Sequence, residues 1–252
     1  MTPTVDWPRW LQRWDAQQTS YLPLREERFA VMIDAVEVTS GPAPLVLDLA
    51  AGPGSLAQRL LARLPAARAV AVDVDPVLLA MGRSVLGNQG GRLAWAEADL
   101  RAPGWTVALP EARFDAVLST TALHWLPPAD ILRVCHDVGG LLRPGGVFLN
   151  GDHLGFPPSQ PTVRRIVEGV RDLRQGRAEP AGETWTQWWE AVAREPAAAA
   201  LLERRAALAH EVWHGPVAPL AVLHEAALAD AGFAEVAVLW SDLDDRVLAA
   251  VR

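Results

Sequence analysis

Between residues 44 and 149, short apolar runs alternate with amphipathic helical stretches, and this alternation restricts the fold more than any other feature of the chain. The runs are LVLDL (45–49), AVAVDV (69–74), RLAWAEA (92–98), FDAVL (114–118) and GVFL (146–149). Helical patterns at 55–64, 76–86 and 129–142 separate most of them, the last stopped by RPGG. Short apolar runs bounded by turns are strands buried on both faces, and such strands joined by helices form a parallel sheet covered on both sides. Upstream, residues 7–38 carry helical periodicity, with Trp7, Trp10 and Trp14 near the start and Phe29, Met32, Ile33 and Val36 on one face. From 157 to 215 the sequence is helical and Trp-rich, without strand signals. A helix at 219–231, ended by Gly232, then precedes two further runs, FAEVAVLW and RVLAAV, whose SDLDD link suits an antiparallel hairpin.

A chain of 252 residues with 50% hydrophobic content can bury a full core, most simply as one domain with an insertion. No apolar run reaches the roughly 18 residues of a membrane span. The first residues, MTPTVDWPRW, have neither a basic n-region nor an apolar h-region, so the expected location is the cytoplasm, with no membrane partner. Cys135 is the sole cysteine, which excludes an internal disulfide and a thiolate metal site and suits a buried structural role. A net charge of −7 argues against a nucleic-acid partner. All 23 basic residues are Arg, and the absence of Lys removes Schiff-base chemistry and a P-loop. His153, His214 and Asp152 show no ligand spacing, so no metal is expected.

The turn after the first strand is built to face a ligand, because glycines there lead into a helix N-terminus with its free N–H groups. GPGSLA (52–57) fits the dinucleotide pattern G-x-G-x-x-G/A, with Asp73 about 20 residues on. Asp48 argues the other way, since a carboxylate ahead of the glycines repels a diphosphate and suits a cationic ligand. Pro53 also removes an N–H that a diphosphate would use, and the terminal hairpin is foreign to the simple dinucleotide half-fold.

The ordered run VLDLAAGPG, VAVDVDP, AEADL, FDAVLSTTALHWL and LLRPGGVFL resembles the class I S-adenosylmethionine-dependent methyltransferases, in particular the branch around trans-aconitate methyltransferase. The likeness covers residues 20–151 and the closing hairpin. It implies an α/β, Rossmann-like, doubly wound and mostly parallel seven-stranded sheet, with an antiparallel C-terminal hairpin strand and a helical insertion after strand five. The chain then divides into N-terminal helices covering the site (1–40), a cofactor-binding core (41–156), an insertion acting as substrate cover (157–215), and a last helix with its hairpin (216–252). The implied cofactor is S-adenosyl-L-methionine, and the implied reaction is methyl transfer to a small-molecule acceptor, at oxygen. An enzyme of the same fold with other chemistry, an NAD-type oxidoreductase and a non-catalytic cofactor-binding protein remain as alternatives. The oligomeric state is left open.

The same resemblance implies roles for single residues. Asp48 would orient the turn near the ammonium of the cofactor's methionine part, its alternative being a cap for the next helix. Ala50 stands where the family has glycine, which is tolerable if φ is negative or the methyl points away. Gly52 and Gly54 would let the backbone pass close to the cofactor; the alternative is an ordinary tight turn. Asp73, with Val74 beside it, would accept hydrogen bonds from both ribose hydroxyls, whereas Asp75 before Pro76 reads as a helix cap. Asp99 and Leu100 match the adenine contact. Arg28 would meet the cofactor's carboxylate, with Arg25 and Tyr21 as neighbours able to share that task; a solvated helix face is its alternative. Ser119 and Thr120 would offer backbone contacts at the end of the fourth strand.

Methyl transfer asks a protein to align a nucleophile, exclude water and sometimes take a proton. His124 and His153 are the candidate bases, with Asp152 and His214 as weaker options. Substrate contacts are expected from Tyr21, Trp185, Trp189 and His214. The cluster Trp185, Trp188 and Trp189 reads either as core or as a pocket cover, and Trp7, Trp10 and Trp14 could close the pocket opposite. Such walls suit an apolar or aromatic acceptor, while Arg164, Arg165 or His214 could hold an acidic group.

Overall fold

The strands assemble into a single seven-stranded sheet in the order β3-β2-β1-β4-β5-β7-β6. They are β1 (Leu45–Leu49), β2 (Arg68–Asp73), β3 (Leu93–Glu97), β4 (Phe114–Thr120), β5 (Leu142–His153), β6 (Glu235–Asp242) and β7 (Asp245–Val251). β1 to β5 run parallel, and β7 lies antiparallel between β5 and β6. The computed structural model describes residues 5–177, 182–208 and 220–252. Its helices are α1 (Trp7–Tyr21), α2 (Arg25–Ser40), α3 (Ser55–Arg63), α4 (Pro76–Leu86), α5 (Pro128–Leu141), α6 (Pro161–Gln175), α7 (Trp185–Val192), α8 (Ala199–Ala207) and α9 (Ala221–Asp230). The strand expected at 146–149 is longer because β7 pairs with β5 from Val147 to His153, which draws His153 into the sheet.

Alternate residues of each strand face opposite layers of core. Val46, Ala71, Leu118 and Leu149 pack with α1 to α4, while Leu47, Val72, Val117 and Phe148 pack with α5 and α9. Cys135 lies buried in the second layer, where burial pushes its thiol up to about 12, so it is a packing residue. The order of connections reverses between β1 and β4, and in open sheets of this kind the crevice above the carboxyl ends of such strands is where ligands sit.

Among the contacts that fasten the insertion to the core are those of Trp188 and Arg205. A capping box between Thr184 and Gln187 starts α7. One turn later Trp188 is fully buried, edge-on to Trp10 at 5.7 Å and to Trp14 at 5.0 Å. Asp75 caps α4 by accepting from the N–H groups of Val77 and Leu78 at 2.9 and 3.3 Å. Its other oxygen accepts from Arg205 Nε at 2.6 Å, which ties α8 to the same helix start.

Two glycines let α4 approach the β1–α3 turn. A Cβ on Gly82 would stand 2.4 Å from the Trp95 ring and 2.6 Å from the carbonyl oxygen of Pro53, and one on Gly54 would stand 2.7 Å from Trp95. The Trp95 indole fills that space and donates to the carbonyl of Gly87 at 2.8 Å. Because the Pro53 carbonyl is backbone, Gly82→Ala must displace the turn itself and is expected to cost about 1–3 kcal/mol in urea unfolding. Gly169→Ala, on α6 with open space around it, serves as control and should gain about 0.5–1 kcal/mol.

Candidate functional site

A cavity of about 620 Å³ opens above the carboxyl ends of the central strands. The turn after β1 contributes Ala50, Gly52 and Pro53, the end of β2 contributes Asp73 and Val74, and the loop after β3 contributes Asp99 and Leu100. Thr120, Thr121, His124 and His153 form the wall over β4 and β5. Helices α1 and α2 supply Trp14 and Arg25, and the insertion supplies Trp185, Trp189 and Arg205. Among the residues singled out in the sequence, Ala50, Gly52, Asp73, Val74, Asp99, Leu100, His124, His153, Trp185 and Trp189 thus meet at one cavity. Tyr21 is the last residue of α1, and His214 lies outside the described residues.

Three expected contacts lie behind this wall. Asp48 is buried under the turn, where it accepts from the Ala57 N–H at 3.0 Å and so caps the first turn of α3. Ser119 is fully buried on β4 and also does not reach the cavity. Arg28 is neither a solvated residue nor a cavity residue: it is 0% exposed and donates to Asp245 at 2.7 Å, to Thr120 at 2.7 Å and to Thr121. A buried guanidinium must be paired, and Asp245 supplies the charge from the last strand. Arg25, one turn earlier, is the arginine of α2 that lines the cavity, paired with Asp15 at 2.9 Å.

The turn differs from expectation at two further points. Ala50 has φ +54°, so it occupies the left-handed region at a cost of about 1–2 kcal/mol instead of the negative φ that would suit alanine. Thr121, across the cavity, has the same φ. Gly54 does not line the cavity; its missing side chain makes room for Trp95. Trp188 is core, so only its neighbours Trp185 and Trp189 contribute to the cavity wall.

Asp73 accepts from the Gly52 N–H at 2.7 Å and from the Asp75 N–H at 2.8 Å. Burial raises its carboxyl to about 6, against the pull of those bonds. Asp48 goes up to about 7, chiefly by burial, with Asp73 adding to it and the Ala57 N–H opposing it. Asp99 holds Arg101 through Nε and Nη2, at 3.0 and 2.8 Å.

The pair that sequence reasoning left unassembled is His124 with Asp152. Asp152 is fully buried at the end of β5 and accepts from His124 Nδ1 at 2.6 Å and from the His124 backbone N–H at 3.1 Å. Burial disfavours its charge, but His124, Arg28 and His224 outweigh this and hold the carboxyl below its ordinary value. The Nδ1 bond fixes the ring and leaves Nε2 as the nitrogen open to other partners, the arrangement of a general base held by a carboxylate. His224, on α9, is buried within the field of the same carboxylate, and burial pushes its pKa down. His153 lines the cavity next to this pair, its Nδ1 without a hydrogen-bond partner among the described residues. The signal for the pair was present in the sequence only as residues 28 positions apart; adjacency of β4 and β5 brings them together.

The buried Asp48 makes stability depend on pH. Its folded pKa lies above its unfolded value, so its contribution is fully present below about pH 4 and is lost as pH rises through about 7. Asp48→Asn keeps an acceptor for the Ala57 N–H and removes the titration. The variant should be about 2–4 kcal/mol more stable than the parent at pH 8, with the difference vanishing near pH 4. Thermal melts of both ligand-free proteins across this range measure it; a constant difference would contradict the assignment.

Residues 46–146 match the family model described as a methyltransferase domain. The trans-aconitate 2-methyltransferase of Azoarcus sp. (strain BH72) is 36% identical over 136 residues, which are 54% of this chain and 49% of that protein. The trans-aconitate 2-methyltransferase of Streptomyces avermitilis is 34% identical over 169 residues, 65% of this chain and 60% of that protein. The chain therefore spans about half the length of the curated relatives it matches. Among solved structures, an O-methyltransferase family protein from Burkholderia thailandensis is similar with a TM-score of 0.55 at 19% identity, covering 88% of this chain and 55% of that one. Human N-acetylserotonin methyltransferase is similar with a TM-score of 0.54 at 16% identity, covering 89% and 51%. At these identities the structures speak for the fold, and the family rests on the sequence matches. Residues 46–146 thus match a methyltransferase domain, and over that stretch the chain resembles the trans-aconitate methyltransferases.

Proposed function

We propose that this protein transfers a methyl group from S-adenosyl-L-methionine to an oxygen of a small-molecule acceptor, with His124 taking the acceptor's proton. The observation that carries this reading is the His124–Asp152 pair on the wall of a cavity whose opposite side is the glycine turn and Asp73. The residues fit the cofactor. Asp73 retains lone pairs beyond its two backbone bonds, as a carboxylate facing a ribose diol requires. Asp99 and the backbone at Leu100 line the same cavity for an adenine, and 620 Å³ is within the range of small-molecule sites. When bound, the cofactor supplies an activated methyl on a sulfonium.

The protein's own part is positioning and proton transfer. Asp152 holds the His124 ring in one tautomer and stabilises the imidazolium once it forms. Trp185 and Trp189 cover the cavity from the insertion and exclude water, which strengthens every charge interaction inside. His153 stands beside the pair as a second polar contact for the acceptor.

Two variants test the reading separately. Asp73→Asn keeps an acceptor for Gly52 while weakening the ribose bonds, and should loosen S-adenosylhomocysteine about tenfold or more in calorimetric titration. His124→Asn should lower turnover by about 10² with S-adenosylhomocysteine affinity kept. Turnover within a few-fold of the parent would reduce the mechanism to proximity.

A further inference from the structure

The cavity's arginines are already matched. Arginine is the only permanently cationic side chain in the sequence, and every one of the 23 falls among the described residues. The three that line the cavity each carry a carboxylate partner. Arg25 is paired with Asp15 at 2.9 Å, Arg101 with Asp99 at 2.8 Å and Arg205 with Asp75 at 2.6 Å. Arg205 is further committed, its guanidinium lying 3.7 Å over the Trp189 ring. Arg164 and Arg165 are exposed on α6 and do not line the cavity. A di- or tricarboxylate would therefore enter a wall without surplus positive charge, and would have to compete with Asp15, Asp75 and Asp99 for cations they already hold.

The remaining wall is aromatic. Trp185 and Trp189 meet edge to face at 6.1 Å, Trp14 lines the same cavity from α1, and Trp125 lies 4.6 Å from the His124 ring. Flat faces of this kind hold a planar ring. The base points the same way. A carboxylic acid is already ionised near neutral pH and offers its oxygen without help, whereas a phenol, with a pKa near 10, needs a base to become a nucleophile. A histidine held by a buried carboxylate is useful to the second acceptor and idle for the first.

Resting on the methyl-transfer reading above, we propose that the acceptor is an uncharged phenol, bound by the tryptophan wall with its hydroxyl at His124, and not a carboxylic acid. In the transfer the phenolic O–H bond breaks and its proton passes to His124. The new O–CH₃ bond forms as the donor's S–CH₃ bond breaks. The positive charge lost by the sulfonium reappears on the imidazolium, beside Asp152.

The test uses 2-naphthol and 2-naphthoate, which share a ring system and differ in the reacting group, with trans-aconitate as a third probe. Binding is followed by tryptophan fluorescence on the full chain, both alone and with S-adenosylhomocysteine, and methylation by product mass. The expected result is 2-naphthol bound about tenfold or more tightly than 2-naphthoate in either state, and methylated in preference to both acids. Asp75→Asn, which frees Arg205 while keeping a helix cap, should shift relative binding toward 2-naphthoate by about tenfold. Tighter binding or faster methylation of either acid by the parent protein would overturn the proposal, as would an unchanged preference in Asp75→Asn. Failure of S-adenosylhomocysteine to bind would overturn the methyl-transfer reading instead, while the binding arm on the protein alone still decides between phenol and acid.

Discussion

The site depends on two carboxylates handed up from neighbouring strands beneath one turn. Asp48 at the end of β1 takes the Ala57 N–H, and Asp73 at the end of β2 takes the Gly52 N–H. The first N–H groups of a helix have no partner within it; Asp48 supplies one such acceptor to α3 from below, while Asp73 holds the turn that leads into it. Since β1 and β2 are adjacent and in register, the turn is fixed relative to the sheet and not merely to its own helix. The cost is two carboxylates pushed well above their ordinary values by burial. Everything set against the turn follows from its position: the close approach of α4, the indole of Trp95 beneath it, and the strained backbone of Ala50 above it.

A second polar network lies behind β4 and β5. Asp152 gathers His124 directly and feels Arg28 and His224 through the low-dielectric interior. Arg28 in turn grips Thr120 and Thr121, where the strand ends and the backbone turns into the left-handed region. Interior charges of this kind are costly unless paired. Their pairing here sets the orientation of the His124 imidazole, which meets the cavity with a carboxylate behind it.

The sheet was legible because its signal is local. A strand buried on both faces must be apolar throughout, so LVLDL and AVAVDV announce themselves, and Pro76 behind Asp75 marks a helix start without reference to anything distant. What was not legible depends on rotation or on distant neighbours. Arg25 and Arg28 stand three positions apart on α2, and spacing cannot say which faces the cavity; the packing of α2 against β5 and β7 decides it for Arg25. Gly54 looks like a ligand-approach glycine in the motif, yet its reason is Trp95, about forty residues later and two strands across the sheet. Trp185, Trp188 and Trp189 share one short segment, but a helix turns Trp188 into the core and leaves the other two on the cavity.

The Arg28–Asp245 bond joins residues 217 positions apart, and Asp245 sits on a strand that is inserted between two others instead of being added at an edge. During synthesis the parallel strands emerge first, and until β7 arrives the sheet carries β5 as an open edge with unsatisfied backbone groups. Over the same interval Arg28 lacks its counter-ion and the end of β4 lacks its clamp. The order in which the ribosome delivers the chain therefore makes the wall over β4 and β5 the last part of the sheet to become defined, long after the turn and its two carboxylates can form.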